Sequence, residues 1–236
     1  QRRLSIRLLR AKKLLVGFPS SAQLFLYCLM ILISVLRTHF HSDVFGSFSW
    51  SSNIYGRKHW FILPAGEETK LKDELGNLPF EISSALLTSK NVKYHEIVQD
   101  CNETIFVPSK WYHQVRNIDA SVSINHNWFN GCNVDIIADS LMAHYNDVEK
   151  EISDCRDMEN YAEHCQLMLK SDFGMNFEDF LDILAHVTNK RVMALNDGKS
   201  FKMFDEFNFS NSHLLYDLKA VFKVVTKLKG INVVKD

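Results

Sequence analysis

The sequence predicts a mainly β domain followed by a helical region, with an N-terminal segment of different character in front. Between Phe48 and Phe129 lie six short runs rich in aromatic and β-branched residues, separated by polar or glycine-containing connections, which is the pattern of short antiparallel strands. Beyond Gly131 the apolar residues recur at helical spacing instead. Residues 1–37 carry seven cations and no acid. At 236 residues, 46% of them hydrophobic, the chain is long enough to bury a core, and one domain with an appendage is the natural reading. The expected divisions are 1–37, 38–131 and 132–236.

The chain opens on Gln1 and not on Met, as expected of a fragment. Its apolar run AQLFLYCLMILISVL, Ala22 to Leu36, has the look of a signal sequence or anchor. It is shorter than the roughly 20 residues a spanning helix needs, so a spanning helix is not expected. A buried strand or helix, or translation of an intron, fits the composition equally.

Thr38 to Asp43, THFHSD, follows. On a strand, positions two apart share a face, so His41 and Asp43 project together. A histidine beside a carboxylate is two thirds of the facial triad that holds non-haem Fe(II). A rival pairing is His39 with His41, as in an H-x-H metal site. That kind places a Glu four or five residues on, where this chain has Phe45 and Gly46, so His41 with Asp43 is preferred. The third ligand is sought among His59, His95, His113 and His126.

FSWSSNI and KHWFILP read as strands joined by a hairpin at Tyr55-Gly56-Arg57, and Pro64 ends the second. A polar excursion to about Asn91 precedes four more strands, KYHEIVQ, ETIFVP, WYHQVRN and SVSINHNWF. Pro108-Ser109-Lys110 is read as a turn that returns the chain beside its predecessor. Helices are expected over Val134–Glu151, Tyr161–Lys170, Phe177–Val187 and Leu214–Leu228. Trp50, Trp60, Trp111 and Trp128 read as core aromatics in preference to the lining of a substrate cleft. There is no internal repeat.

Residues 38–236 hold 20 basic and 28 acidic groups, a net −8. An acidic body does not suit a duplex nucleic-acid binder, whose affinity rests on neutralising phosphates, and suits a basic protein partner better. The five cysteines include no C-x-x-C pair, which points to a reducing, intracellular setting, the cytoplasm or the nucleus. Asn102-Glu103-Thr104 matches a glycosylation acceptor, which matters only in a secreted chain.

THFHSDVFGSFSW, NIYGRKHWFILP and IFVPSKWYHQVRNIDASVSINHNW together resemble the JmjC family of Fe(II)- and 2-oxoglutarate-dependent oxygenases. The resemblance spans about residues 38–200, because EHCQLMLKSDFGMNFEDFLDIL is similar to a helical C-terminal part found in such proteins. It implies a double-stranded β-helix of the jelly-roll, cupin-like kind. It makes His41 and Asp43 the proximal metal ligands, His113 the distal one, and the three together the catalytic centre. It places Lys58 on the far carboxylate of 2-oxoglutarate, with the Thr38 hydroxyl on the same group. Asn125 falls where a relative has a second hydroxyl-type contact, and Asn127, on the same face, could orient a ligand. The residues support Lys58 independently: a lone cation in a strand of aromatic and aliphatic neighbours is costly unless paired.

The implied cofactor is Fe(II), with 2-oxoglutarate and dioxygen as co-substrates. The implied activity is oxidation of a protein side chain. The members most similar to this chain are associated with lysyl hydroxylation of the translation termination factor. N-methyl-lysine demethylation and a non-catalytic interaction module are the alternatives. Residues 1–37 do not resemble the strand that precedes H-x-D in the family, so the barrel is expected to lack an edge and part of its co-substrate wall.

Overall fold

The computed structural model describes residues 27–32, 37–196, 201–204 and 207–229. They fall into two compact units that meet in sequence at Trp128 and Phe129.

The first unit contains β1 (Tyr27–Leu32), β2 (Phe48–Tyr55), β3 (Lys58–Leu63), α1 (Ser84–Ser89), β4 (His95–Gln99), β5 (Thr104–Val107), β6 (Tyr112–Asn117) and β7 (Ser121–Trp128). One antiparallel sheet has the order β1-β7-β2-β5 and the other the order β4-β3-β6. Arg37 to His41 runs along the outer side of β6, bridging Arg37 to Arg116 and His41 to His113. From β2 onward, apart from β3 and β4, which the excursion 64–94 joins, consecutive strands lie in different sheets. This is the double-stranded β-helix.

That topology corrects two local expectations. Tyr55-Gly56-Arg57 is not a hairpin, since β2 pairs with β5 and β7 while β3 pairs with β4 and β6. Pro108-Ser109-Lys110 likewise carries the chain across to the other sheet. Both are corners, and their turn residues are those a hairpin would use. At the first corner Gly56 has φ +79°, and a Cβ there would lie 2.1 Å from the Ala120 carbonyl oxygen. Buried Asn53 clasps the same corner, donating its amide to the Gly56 carbonyl at 2.6 Å and to that of Asp100 at 3.3 Å.

Of the apolar run Ala22–Leu36, Tyr27–Leu32 falls among the described residues and is a strand. It pairs antiparallel with β7 from Tyr27 opposite His126 to Leu32 opposite Ser121. The β7 edge expected to be open is therefore paired. No helix among the described residues is long and apolar enough to cross a membrane.

Trp60, Ile62, Ile105, Val107 and Val115 pack between the two sheets. On the outer face of β3, Phe61 and Leu63 join Phe40, Leu71, Ile82, Leu87 and Val92. Strand β3 is thus buried on both faces, which explains why its sequence reads as an almost continuous apolar run. The excursion is tied down by the Gln114 side chain on β6, which accepts the Ile82 N–H at 2.8 Å and donates to the Ile82 carbonyl at 3.1 Å.

The second unit holds α2 (Val134–Glu151), α3 (Tyr161–Phe173), α4 (Phe177–Asn196), the hairpin β8 (Phe201–Phe204) and β9 (Phe207–Phe209), and α5 (Asn211–Leu228). Ile137, Leu141, Leu169, Phe177, Phe180, Leu214 and Leu228 are fully buried. Gly174, at φ 86°, ends α3. A reciprocal cap starts α4, in which Asn176 Oδ1 accepts the Asp179 N–H and the Asp179 carboxylate accepts the Asn176 N–H. Helix α4 runs nine residues past its expected end at Val187, and in that extension Arg191 donates to Asp217 of α5 at 2.8 Å.

Candidate metal centre and polar interior

His41 and His113 face each other across the bridge between the Arg37–His41 segment and β6. Each backbone N–H donates to the other's carbonyl, at 3.1 and 2.7 Å, and the ring centroids are 4.4 Å apart. Past His41 the chain leaves the strand but Asp43 stays extended, at φ −63° and ψ 151°. One ligand atom from each of His41, Asp43 and His113 lies within 4.8 Å of the other two. His39 is outside this group.

The surrounding hydrogen bonds fix how each group presents itself. His41 donates Nδ1–H to the His39 carbonyl at 2.8 Å, and His113 donates Nδ1–H to the Trp111 carbonyl at 3.2 Å. A carbonyl can only accept, so both protons sit on Nδ1 and both Nε2 lone pairs are left for a metal. Burial holds the His113 imidazole down to about 4, with the Asp43 charge opposing that shift, so its neutral, metal-binding form persists through the physiological range. Asp43 is held at both oxygens: Ser49 Oγ donates to Oδ2 at 2.6 Å and Asn127 Nδ2 to Oδ1 at 2.9 Å. Asn127 Nδ2 also donates to Ser47 Oγ at 3.1 Å.

Inward of these ligands the interior turns polar. Lys58 is opposite Asn117 on β6 and Gln99 on β4, on the same face of β3 as Trp60 and Ile62. It is 3% exposed, and among the described residues its ammonium has no hydrogen bond or ion pair. Burial lowers it to about 8. On the facing sheet, Ser51 of β2 is opposite Asn125 of β7 and Ile105 of β5, so both polar side chains share the inner face. Among the described residues, Ser51 Oγ, Asn125 Oδ1 and Asn117 Nδ2 are buried without a hydrogen-bond partner.

Each such orphan costs about 1–3 kcal/mol. A cation, the Asn117 amide N–H and the Ser51 hydroxyl can all be satisfied by an anion of several oxygens, whereas Asn125 Oδ1 is an acceptor and needs a donor instead. A 2-oxo-dicarboxylate fits this donor set. Thr38 sits beside β6, where its hydroxyl accepts the Val115 N–H at 3.0 Å and donates to the Val115 carbonyl at 3.5 Å.

Other histidines are employed elsewhere. His59, on the outer face of β3, pairs with Glu96 at 2.8 Å. His95 is exposed and stacks on Trp111 at 5.9 Å. His126 projects opposite to Asn125 and Asn127 and stacks on Trp128 at 6.1 Å. Trp60 is core, with its indole N–H donated to Gln99 at 2.9 Å. Sequence reasoning missed Ser47, Ser49, Ser51 and Asn117. The first three recur at every second position of the stretch Gly46–Asn53, a signal of a polar strand face.

Residues 35–128 match the family described as JmjC domain, hydroxylase. The chain is 46% identical over 191 residues to the Drosophila melanogaster 2-oxoglutarate and iron-dependent oxygenase JMJD4 homolog, covering 81% of this chain and 45% of that protein. It is 39% identical over 213 residues to the Gallus gallus 2-oxoglutarate and iron-dependent oxygenase JMJD4, covering 82% and 49%. It is 32% identical over 200 residues to an Arabidopsis thaliana protein named arginine-specific demethylase JMJ20, covering 81% and 43%. The chain spans about half the length of the curated relatives it matches. A double-stranded β-helix that brings two histidines and an aspartate together, a domain match over residues 35–128, and similarities that run over most of the chain agree: the chain belongs to the JmjC family.

Proposed function

We propose that His41, Asp43 and His113 hold Fe(II), that Lys58 takes the far carboxylate of 2-oxoglutarate, and that the chain is an oxygenase of protein side chains. The observation that carries this reading is the convergence of three ligand atoms within 4.8 Å beside an interior whose buried Lys58 has no partner among the described residues. Two neutral imidazoles and one carboxylate leave part of the coordination sphere free for a chelating co-substrate and dioxygen. When bound, iron(II) and 2-oxoglutarate together supply the reduction of dioxygen that places one oxygen atom on a C–H carbon and the other in succinate, with release of carbon dioxide. The protein's part is to orient. Carbonyls of His39 and Trp111 lock the imidazoles, Ser49 and Asn127 lock the carboxylate, and the sheets exclude water around Lys58.

Ser51 and Asn117 are assigned as donors to the same carboxylate as Lys58, and Asn125 can join them only through its Nδ2 amide. Thr38 is assigned to that carboxylate as well, its hydroxyl proton exchanging a long 3.5 Å donation to the Val115 carbonyl for the anion. The proposed substrate is a lysine side chain of a protein partner, for which the translation termination factor is the candidate the family resemblance implies. The acidic balance of residues 38–236 supports a basic partner. The described cysteines, Cys101, Cys132, Cys155 and Cys165, are free, which supports a cytoplasmic or nuclear setting.

N-demethylation is the second reading, favoured by the plant relative's printed name. It begins with the same oxidation, at an N-methyl carbon, and ends by releasing formaldehyde. The test is succinate formation from 2-oxoglutarate in the presence of Fe(II) and lysine-containing peptides. We expect turnover that disappears in His41→Ala and Asp43→Ala. Oxygen retained on the peptide indicates hydroxylation, formaldehyde indicates demethylation, and turnover indifferent to both substitutions rejects the site.

A further inference from the structure

Phe80 is 72% exposed, yet its backbone is clamped. Its carbonyl accepts the Phe40 N–H at 2.9 Å, Glu81 pairs with Arg37 at 2.5 Å, and Ile82 is gripped at both backbone groups by Gln114. A single exposed apolar residue needs no explanation of its own. What distinguishes Phe80 is the ring next to it. Phe80 stacks on His39 with centroids 5.7 Å apart and planes 17° from parallel, and His39 lies 5.0 Å from the His41 ring. A short run of rings therefore leads from water to a metal ligand, and the carbonyl of its middle member orients that ligand. His113 is buried, whereas His41 and Asp43 are half-buried. The centre thus opens on the His41–Asp43 side, where this run of rings lies.

We propose that Phe80 and His39 form one wall of the substrate entrance and that the wall receives a long, cationic side chain of the lysine or arginine class. The proposal rests on the oxygenase reading for what happens after binding. A phenyl face attracts a cation within about 6 Å of its centroid, and the methylene stem of such a side chain lies along apolar surface while the charge stays hydrated. Asp73 and Glu74, in the segment leading to Phe80, favour the same sign, while Glu81 is already paired with Arg37. Phe80 is thus a substrate-positioning residue that touches neither metal nor co-substrate.

The test reads binding without turnover. The full chain, loaded with Mn(II), is titrated with a fluorescein-labelled, glycine-flanked lysine peptide and with its norleucine and glutamate counterparts. Wild type is expected to prefer lysine over norleucine by roughly three- to tenfold. Phe80→Leu, which keeps an apolar side chain without the ring, should lose that preference, and Phe80→Trp should keep it. Mn(II) affinity should be the same in all three proteins. Equal binding of the lysine and norleucine peptides by wild type, an undiminished preference in Phe80→Leu, or Mn(II) loss in Phe80→Leu would each overturn the wall. Failure of the oxygenase reading shows differently, as a wild type that binds Mn(II) and prefers the lysine peptide but forms no succinate; that result leaves the wall standing.

Discussion

Asn127 reaches Asp43 across 84 residues of chain, donating its side-chain amide to Oδ1 at 2.9 Å while Ser49 holds Oδ2 at 2.6 Å. The carboxylate is thereby fixed in rotation before any metal arrives. Partners that orient a metal ligand in this way typically contribute 10–100-fold to metal affinity. Asn127→Ala should weaken Mn(II) binding by roughly that factor. The fold should lose only about 1 kcal/mol, the net worth of a hydrogen bond. Calorimetric Mn(II) titration alongside urea unfolding separates the two effects.

Lys58 makes the complementary prediction. As a buried cation without a partner among the described residues, it costs the fold stability, and under the proposed function it contributes to co-substrate binding. Lys58→Met keeps the stem and removes the charge. It should stabilise the metal-free chain by about 1–3 kcal/mol and cost roughly 2–5 kcal/mol of 2-oxoglutarate affinity. Urea unfolding of the metal-free chain, with 2-oxoglutarate titration of the Mn(II) form, reads both signs. A destabilised Lys58→Met with undiminished 2-oxoglutarate affinity would mean the ammonium serves the fold alone.

The pH dependence follows from the same burial, which lowers Lys58 from 10.5 to about 8. Between those values the unfolded chain holds a proton that the folded chain has released. Stability contributed at this position therefore rises with pH across the window: the penalty of the buried charge is full below about 8 and gone above about 10.5. Co-substrate affinity has the opposite sign and falls as pH rises through about 8. The stability advantage of Lys58→Met over wild type should accordingly shrink between pH values on either side of about 8, measured by urea unfolding.

Gly56 tests the corner between the sheets. Gly56→Ala places a Cβ 2.1 Å from the Ala120 carbonyl oxygen at a φ of +79°, so the backbone must shift. The substitution should cost more than about 1 kcal/mol and lower the thermal midpoint. Gly66, also at positive φ but with nothing within 4 Å of where a Cβ would lie, is the control, and Gly66→Ala should lose less.

The candidate ligands His41 and Asp43 were legible because extended backbone turns side chains two apart to the same side, and Asp43 stays extended although the chain leaves the strand at His41. The third histidine needed the family resemblance, since four candidates stood on strands. The sheet assignment was not legible. A corner and a hairpin use the same glycine and proline signals, and only the pairing of β2 with β7 and β3 with β6 tells them apart. Asn117 was hidden for the same reason, because its place beside Lys58 is set by the register of two strands distant in sequence. The alternation of Ser47, Ser49 and Ser51 with Phe48 and Trp50 was visible, but it does not say which face turns inward. In this domain the polar face does, which inverts the usual rule. Tyr27–Leu32 has the composition of an anchor and the placement of a strand, and composition cannot separate the two.

The central claim is that one centre binds the metal and chelates the co-substrate at the same time. Anaerobic titration of 2-oxoglutarate into the Fe(II)-loaded chain, followed by the visible charge-transfer absorption of a chelated 2-oxo acid, tests it most directly. Wild type should develop the band with saturation, His41→Ala and Asp43→Ala should not, and Lys58→Met should develop it only at far higher 2-oxoglutarate. An absent band in wild type, or an unchanged one in Asp43→Ala, would contradict the account.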